Sequence, residues 1–419
     1  MNDALYWIWL SLACTPASAT FSKLFSKYST PYEVFSAEKE ELVRVVGSRS
    51  KDLTALCDKD LVEAERILNF CREKGVGILL YSDERYPENL RKIENPPVLL
   101  YYRGSLPDFS SETPISVVGT RRISDYGRKN AFTVSRDLAK AGALIVSGMA
   151  IGIDGVAHAA ALSEGKKTVA VLGNGIDICY PKEHLTLAKE IVKNGCIFTE
   201  YPPKSPPART HFPQRNRIIS ALSYATVVIE GTERSGALIT ARRAKEQGRR
   251  VYALPGNVGN KNSEATNLLI KTGASSFSSA DDIVADFDKA YPGKLNPFKM
   301  LDASAYNMFD VLKQYSVSCV TPNDEIFRPS KRKNELVKTA LDSVCKTPLN
   351  NDSRIDVIPE KLPKEAIEIY KKIPISDSCA IESLIDDGTS LREVMRLLLK
   401  LEIGQFVSLL PGEKVRRNF

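Results

Sequence analysis

The sequence predicts an α/β fold: an extended Rossmann-like parallel sheet sandwich, with a small helical N-terminal domain and a C-terminal winged-helix-like domain. Three observations lead there. From Ile115 onward, short β-branched apolar runs alternate with helix-period stretches; the ends of those runs carry glycines and small polar residues; and the regions on either side change character. Strands buried on both faces read as continuous apolar runs, and ligands of parallel sheets collect at the carboxyl ends of the strands.

Taken in order, residues 1–80 read as a helical domain of SAM-like or helix-hairpin-helix-like type. Its helical stretches are Trp7 to Ala13, Phe21 to Tyr28, Glu38 to Val46 and Leu61 to Lys74. The apolar start, Leu5 to Ala13, is too short to span a bilayer and lacks the basic flank of a signal peptide, so Asp3 reads as a helix start. The sheet domain is assigned to residues 81–290. Val98 to Tyr102 is a strand, followed by Ile115 to Val118, Leu144 to Val146, Thr168 to Leu172, Ile197 to Thr199, Thr226 to Ile229 and Val251 to Leu254. Helical patterns at Asn130 to Lys140, Val156 to Ser163, Leu185 to Lys193 and Leu238 to Gln247 supply the crossovers. Residues 291–360, proline-rich and basic around Arg328 to Asn334, read as an irregular linker. In residues 361–419, helical patterns at Glu365 to Lys372, Ala380 to Asp386 and Leu391 to Leu401 precede two strand-like segments split by Pro411-Gly412. Three helices and a hairpin make the winged-helix pattern.

Composition bounds the chemistry. The chain has 419 residues, 43% hydrophobic and 26% charged, which is globular rather than disordered. No apolar run reaches membrane-span length. Eight cysteines stand singly and three histidines are dispersed without metal-ligand spacing, so the thiols read as those of a reducing cytoplasm and no metal site is expected. The net charge of +7 lies wholly between Glu112 and Lys289, which hold 24 Lys and Arg against 17 Asp and Glu. That suits a polyanionic partner.

The most telling segment is Thr210-His-Phe212-Pro-Gln-Arg215-Asn216-Arg217, read as a βα loop feeding a helix. An aromatic face with two guanidinium forks suits stacked bases and phosphates; equally, Phe212 could plug the core and the arginines pair with carboxylates. Ser147-Gly148 and Ser235-Gly236 are candidate phosphate cradles, with Arg121-Arg122 on the same edge. A dinucleotide site is disfavoured, because Gly173-Asn174-Gly175 lacks the third glycine, and no Walker motif is present. Ser147, Asp154 and His158 invite a hydrolytic reading, yet Asp154 and His158 stand four apart on a helix, where Asp154 simply holding His158 is the plainer account. No catalytic residue is assigned.

These residues resemble the bacterial DNA-processing protein A (DprA/Smf) family. The matching motifs are Gly119-Thr-Arg121-Arg122-Ile-Ser124-Asp-Tyr126-Gly127, Ser147-Gly148-Met-Ala150-Ile-Gly152-Ile-Asp154, Gly173-Asn-Gly175-Ile-Asp177 with Tyr180-Pro181, Phe212-Pro-Gln-Arg215-Asn216-Arg217, Ser235-Gly236 and Pro255-Gly256. The resemblance implies a non-enzymatic, cytoplasmic, cofactor-free protein that binds single-stranded DNA, forms a homodimer and loads the RecA recombinase during natural transformation. Carried over by motif, the DNA-binding positions are Arg121, Ser147, Gly148, Phe212, Arg215 and Arg217. Arg209 joins by proximity, and Asn174, Lys182, Ser235, Gly236 and Asn267 complete the set. The chain departs from the pattern at His184, where asparagine is expected, and at Ala265, where glycine is usual; the N-terminal helices lack the family's Pro-Gly hairpin, and the linker matches nothing known. The competing functions are a nucleotide-binding or nucleotide-processing enzyme on the same sheet and a duplex-DNA regulator acting through the winged helix.

Overall fold

The computed structural model describes residues 3–300, 307–319, 367–373, 378–384, 394–398, 401, 407–410 and 414–417. The chain divides into two compact units, Met1–Arg328 and Pro329–Phe419.

The first unit opens with six helices: α1 (Asp3–Ala13), α2 (Thr20–Phe25), α3 (Pro31–Ser36), α4 (Lys39–Val46), α5 (Leu53–Cys57) and α6 (Val62–Glu73). Trp7, Ile8, Trp9 and Leu10 of α1 are buried, so the apolar start of the chain is the spine of this helical cluster. Buried Asp52 ties its loops together by accepting from the hydroxyls of Thr15, Ser18 and Thr20. Among the described residues, no helix is long and apolar enough to cross a membrane.

A nine-stranded sheet follows: β1 (Gly77–Leu80), β2 (Leu99–Gly104), β3 (Thr113–Val118), β4 (Ala143–Ser147), β5 (Thr168–Val171), β6 (Cys196–Thr199), β7 (Ala225–Val228), β8 (Arg250–Ala253) and β9 (Ser275–Ser276). The order is β1-β2-β6-β5-β4-β3-β7-β8-β9. Every pairing from β6 to β9 is parallel, and β1 and β2 add an antiparallel edge. The order reverses between β3 and β7, so the crevice for a ligand opens at their carboxyl ends.

The helices that accompany the sheet are α7 (Glu88–Arg91), α8 (Asp125–Ala141), α9 (Ile153–Ser163), α10 (Leu185–Asn194), α11 (His211–Leu222), α12 (Gly236–Glu246), α13 (Glu264–Lys271) and α14 (Ala280–Ala290). Each strand feeds both faces by alternation. Ile115, Val117 and Ile145 join the core under α8 and α9, whereas Val118, Leu144 and Val146 join the core under α11 and α12. Glu230, just past β7, knits the reversal point together. Its carboxylate accepts from Ser124 N (3.1 Å) and from the Ser124 hydroxyl, and Ser124 in turn caps α8 by accepting from Gly127 N at 3.0 Å.

Residues 291–360 were expected to be irregular. Within the described residues this is corrected, because α15 (Met308–Gln314) buries Val311 and Leu312 and packs on α9. Pro297–Met300 adds one 3-10 turn, and residues 301–306 and 320–360 lie outside the described residues.

In the second unit, α16 (Ile367–Lys372) is followed by β10 (Ser378–Ala380), β11 (Val407–Leu410) and β12 (Lys414–Arg417). The hairpin β11–β12 is antiparallel, as the Pro-Gly turn suggests. Ala380, expected at a helix start, instead ends β10, which pairs with β12. Helical residues 394–398 fall within the expected third helix.

Candidate nucleic-acid interface

Helix α11 begins at His211, so the octapeptide forms the first turns of a helix rather than a loop. Its start is pinned to the end of β5. The His211 ring stacks on Tyr201 (4.1 Å, 19°) and shares Nδ1 with Gly173 O at 3.1 Å, while the Tyr201 hydroxyl bonds Gln214 Oε1 at 3.0 Å. Proline at the third helical position is compatible with this start, because the first-turn amides have no intrahelical partner.

Phe212 is half-buried and forms the middle of an exposed layer. The Arg121 guanidinium lies 5.1 Å from its ring centre, and the Tyr180 ring is 5.6 Å away on a 33° tilt. Gly173 supports the ring from beneath: a Cβ there would come within 3.0 Å of Phe212 Cδ1. Arg121, Lys182 and Arg209 are all exposed, and Tyr180 is 39% exposed. Tyr180 was not among the expected contacts. The signal for it was an aromatic residue beside Pro181 in the loop that follows a parallel strand. A cation over an aromatic ring, flanked by a second ring, can stack bases while the guanidinium meets phosphate.

Much of the expected contact set lies beneath this layer, and four roles are corrected. Arg215 is 3% exposed; its Nη1 donates to Gly148 O at 2.8 Å and to Val171 O, so it braces two strand-end loops. Burial pushes its guanidinium down to about 10, which leaves it charged at neutral pH. Arg217 is 6% exposed and donates to Glu200 Oε2 at 2.5 Å, on a face turned inward. Ser147 is fully buried, its hydroxyl donating to Val117 O at 2.6 Å. The Gly148 amide is already taken by Asp154 Oδ2 at 3.2 Å. Glycine at 148 leaves the guanidinium its room, because a Cβ would sit 2.2 Å from Arg215 Nη1.

Other candidates hold the loops in shape. Asn174 is buried and donates to Gly175 O (3.0 Å) and Ile178 O (2.7 Å). Asn267 clasps the loop after β8, donating to Gly256 O at 3.0 Å and accepting from Gly256 N at 3.3 Å. Ser235 caps α12, its hydroxyl accepting from Ala237 N at 3.2 Å. Gly236 is exposed, and its carbonyl accepts from Asn216 Nδ2 at 3.3 Å, which ties α11 to the start of α12.

Ser147, Asp154 and His158 do not assemble as a hydrolytic set. His158 is not held by Asp154; its Nδ1 shares a hydrogen bond with Thr168 Oγ1 at 2.7 Å. Burial lowers the His158 ring to about 3, so it is neutral. Burial raises Asp154, and the nearby cations of Arg215 and Arg121 oppose that rise. Among the described residues, no group of three or more His, Cys, Asp or Glu side chains is placed to hold a metal ion.

With this geometry in view, residues 77–288 match the family described as DNA recombination-mediator protein A. The DNA processing protein DprA of Bacillus subtilis (strain 168) is 38% identical over 233 residues, 56% of this chain and 78% of that protein. The DNA processing protein DprA of Streptococcus pneumoniae (strain R6) is 42% identical over 206 residues, 49% and 72% of the two chains. The X-ray structure of DNA processing protein A from Streptococcus pneumoniae superposes with a TM-score of 0.59 at 32% identity, covering 68% of this chain and 98% of that one. The match runs from β1 to α14 and takes in the whole exposed layer and its scaffold: the chain belongs to the DNA recombination-mediator protein A family.

Proposed function

We propose that this protein binds single-stranded DNA along the carboxyl edge of its sheet and, as a cytoplasmic homodimer, passes the strand to a RecA-type recombinase in natural transformation. The observation that carries the reading is the exposed Arg121–Phe212–Tyr180 layer, with exposed Lys182 two residues after Tyr180 and exposed Arg209 three before Phe212. Rings accept any base on their faces and guanidinium groups accept any phosphate, so binding is largely indifferent to sequence. The family membership and the two DNA-processing relatives support the same reading. A mononucleotide enzyme fits less well, because the Asn174 amide donates to carbonyls of its own loop and His158 bonds Thr168 and not Asp154.

The test is fluorescence anisotropy with labelled oligo-dT. Phe212→Ala is expected to weaken binding by roughly 5- to 150-fold, the equivalent of about 1–3 kcal/mol of base stacking. Arg121→Ala loses both a phosphate contact and the cation over the ring, and is expected to weaken binding and flatten its salt dependence. Undiminished binding by both variants refutes the site. Equal competition by duplex DNA refutes the single-strand preference.

A further inference from the structure

Arg217, turned inward from α11, forms part of the wall of a cavity of about 240 Å³ at the junction of the helical cluster and the sheet. The rest of the lining comes from Ala17 between α1 and α2, from residues 92–95 ahead of β2, and from the end of α12 and the residues that lead into β8. None of the rings or cations of the exposed DNA layer lines it.

The cavity gathers hydrogen-bond donors that lack an acceptor. Arg217 is 6% exposed; its Nη2 serves Glu200, while Nε and Nη1 have no partner among the described residues. Arg249 is half-buried; its Nη2 donates to Asn89 O at 3.1 Å, and its Nε has no partner among the described residues. Gln247, between them in the lining, donates to Arg217 O at 3.1 Å and so ties the end of α12 to α11. Buried donors nearly always find an acceptor, and a guanidinium cannot itself accept, so these two arginines do not satisfy each other.

Charge narrows the choice of acceptor. Lys92, Arg217, Arg243 and Arg249 line the cavity against Glu94 and Glu246. At its exposed rim Arg243 pairs with Glu246 at 2.9 Å and Lys92 with Glu88 at 3.4 Å, and such pairs count for little. Deeper in, Glu200 answers Arg217, whereas Arg249 joins no ion pair among the described residues. Burial pulls the Arg249 guanidinium below its ordinary value, which an anion beside it would reverse. The cavity is smaller than the roughly 300–1,000 Å³ that houses drug-sized ligands and cofactors, so its occupant is a small anion. Guanidinium groups match phosphate oxygens in geometry and charge.

We infer that this cavity binds a phosphate group, as inorganic phosphate or pyrophosphate, through Arg217 and Arg249. The anion supplies the acceptor that the three N–H groups lack. The site is separate from the DNA layer and does not depend on the single-strand reading.

The test is isothermal titration calorimetry on the full chain, in phosphate-free buffer at fixed ionic strength, with inorganic phosphate, pyrophosphate and AMP as probes. Expected is a single site for phosphate and for pyrophosphate, with AMP bound no more tightly than phosphate. Arg249→Gln should weaken phosphate binding by roughly 10-fold or more, the scale of a charge-assisted hydrogen bond, and leave oligo-dT binding as it is. Glu94→Gln removes an opposing carboxylate and keeps every cation, so it should tighten phosphate by roughly 2- to 5-fold, a gain that misfolding cannot imitate. Arg121→Ala should leave phosphate affinity unchanged. Absence of phosphate and pyrophosphate binding by the wild type overturns the inference. Binding that survives Arg249→Gln, that Glu94→Gln fails to tighten, or that Arg121→Ala abolishes places the anion elsewhere and overturns it as well. AMP bound far more tightly than phosphate overturns the small-anion assignment.

Discussion

Replacing Arg215 by alanine separates two opposite accounts of the most charged part of the site. As a phosphate contact, Arg215 would cost affinity and leave stability alone. As the buried brace seen in the structure, it should do the reverse. Its removal strands the carbonyls of Gly148 and Val171, takes the counter-charge away from buried Asp154, and leaves a side-chain-sized cavity. Breaking a buried charge pairing costs about 3–5 kcal/mol, and an orphaned buried acceptor about 1–3 kcal/mol. These terms overlap, since Asp154 can take up a proton once its cation is gone, so about 3–5 kcal/mol in all is the expected loss. That is a large share of the roughly 5–15 kcal/mol that stabilises a typical domain. The assay is urea unfolding followed by intrinsic fluorescence, with the midpoint expected to fall by roughly 1–3 M. Anisotropy on the folded fraction should keep the wild-type salt dependence. An unchanged urea midpoint together with a shallower salt dependence would refute the brace and restore Arg215 to the DNA.

Two further outcomes follow from the same scaffold. Gly148→Ala drives a methyl group into the Arg215 guanidinium, which two carbonyls hold in place, so overpacking should cost about 1–3 kcal/mol in urea unfolding. The same substitution should cost much less in an Arg215→Ala background, and full additivity of the two would contradict the clash. His158 is neutral when folded, with its proton affinity lowered from 6.5 to about 3, so stability is complete above about 6.5 and is lost as pH falls from there towards 3. His158→Gln, which keeps a group able to bond Thr168, should lose less stability than wild type over that window, by about 1.4 kcal/mol per pH unit. Parallel acid-denaturation profiles for the two proteins would rule out His158 as a source of the acid sensitivity.

The sheet was legible because its strands are buried on both faces and therefore spell themselves as apolar runs. Thr168 to Leu172 and Val251 to Leu254 fall within a residue of β5 and β8 at each end. The start of α11 was not legible, since a proline two residues into the segment reads as a loop although a first helical turn tolerates it. Burial of the arginines was partly written in the sequence. Arg215 stands three residues before Ile218 and four before Ile219, on the apolar side of the helix, and both isoleucines are buried. What the sequence could not supply is the partners: Gly148 O lies 67 positions away from Arg215 and Val171 O 44 away. Tyr180 escaped for the same reason, as its pairing with Phe212 exists only once two strand-end loops converge.

Moving Arg215 inward changes which cations a strand can meet without changing how many. The expected set contains the trio Arg121, Arg209 and Arg215; the structure instead leaves the trio Arg121, Lys182 and Arg209 exposed. Three neutralised phosphates on a single strand imply a salt slope of roughly −2, whichever trio is right. The slope alone therefore cannot tell the two trios apart, but its response to mutation can. Removing Lys182 should lower it by about 0.7, and removing Arg215 should not lower it at all. The reason is electrostatic: an arginine spent on two carbonyls beside a buried carboxylate has no counterions to release, whereas a solvated lysine at the lip of the groove replaces those condensed on the DNA. The buried arginine makes the loop, and the exposed ones meet the strand.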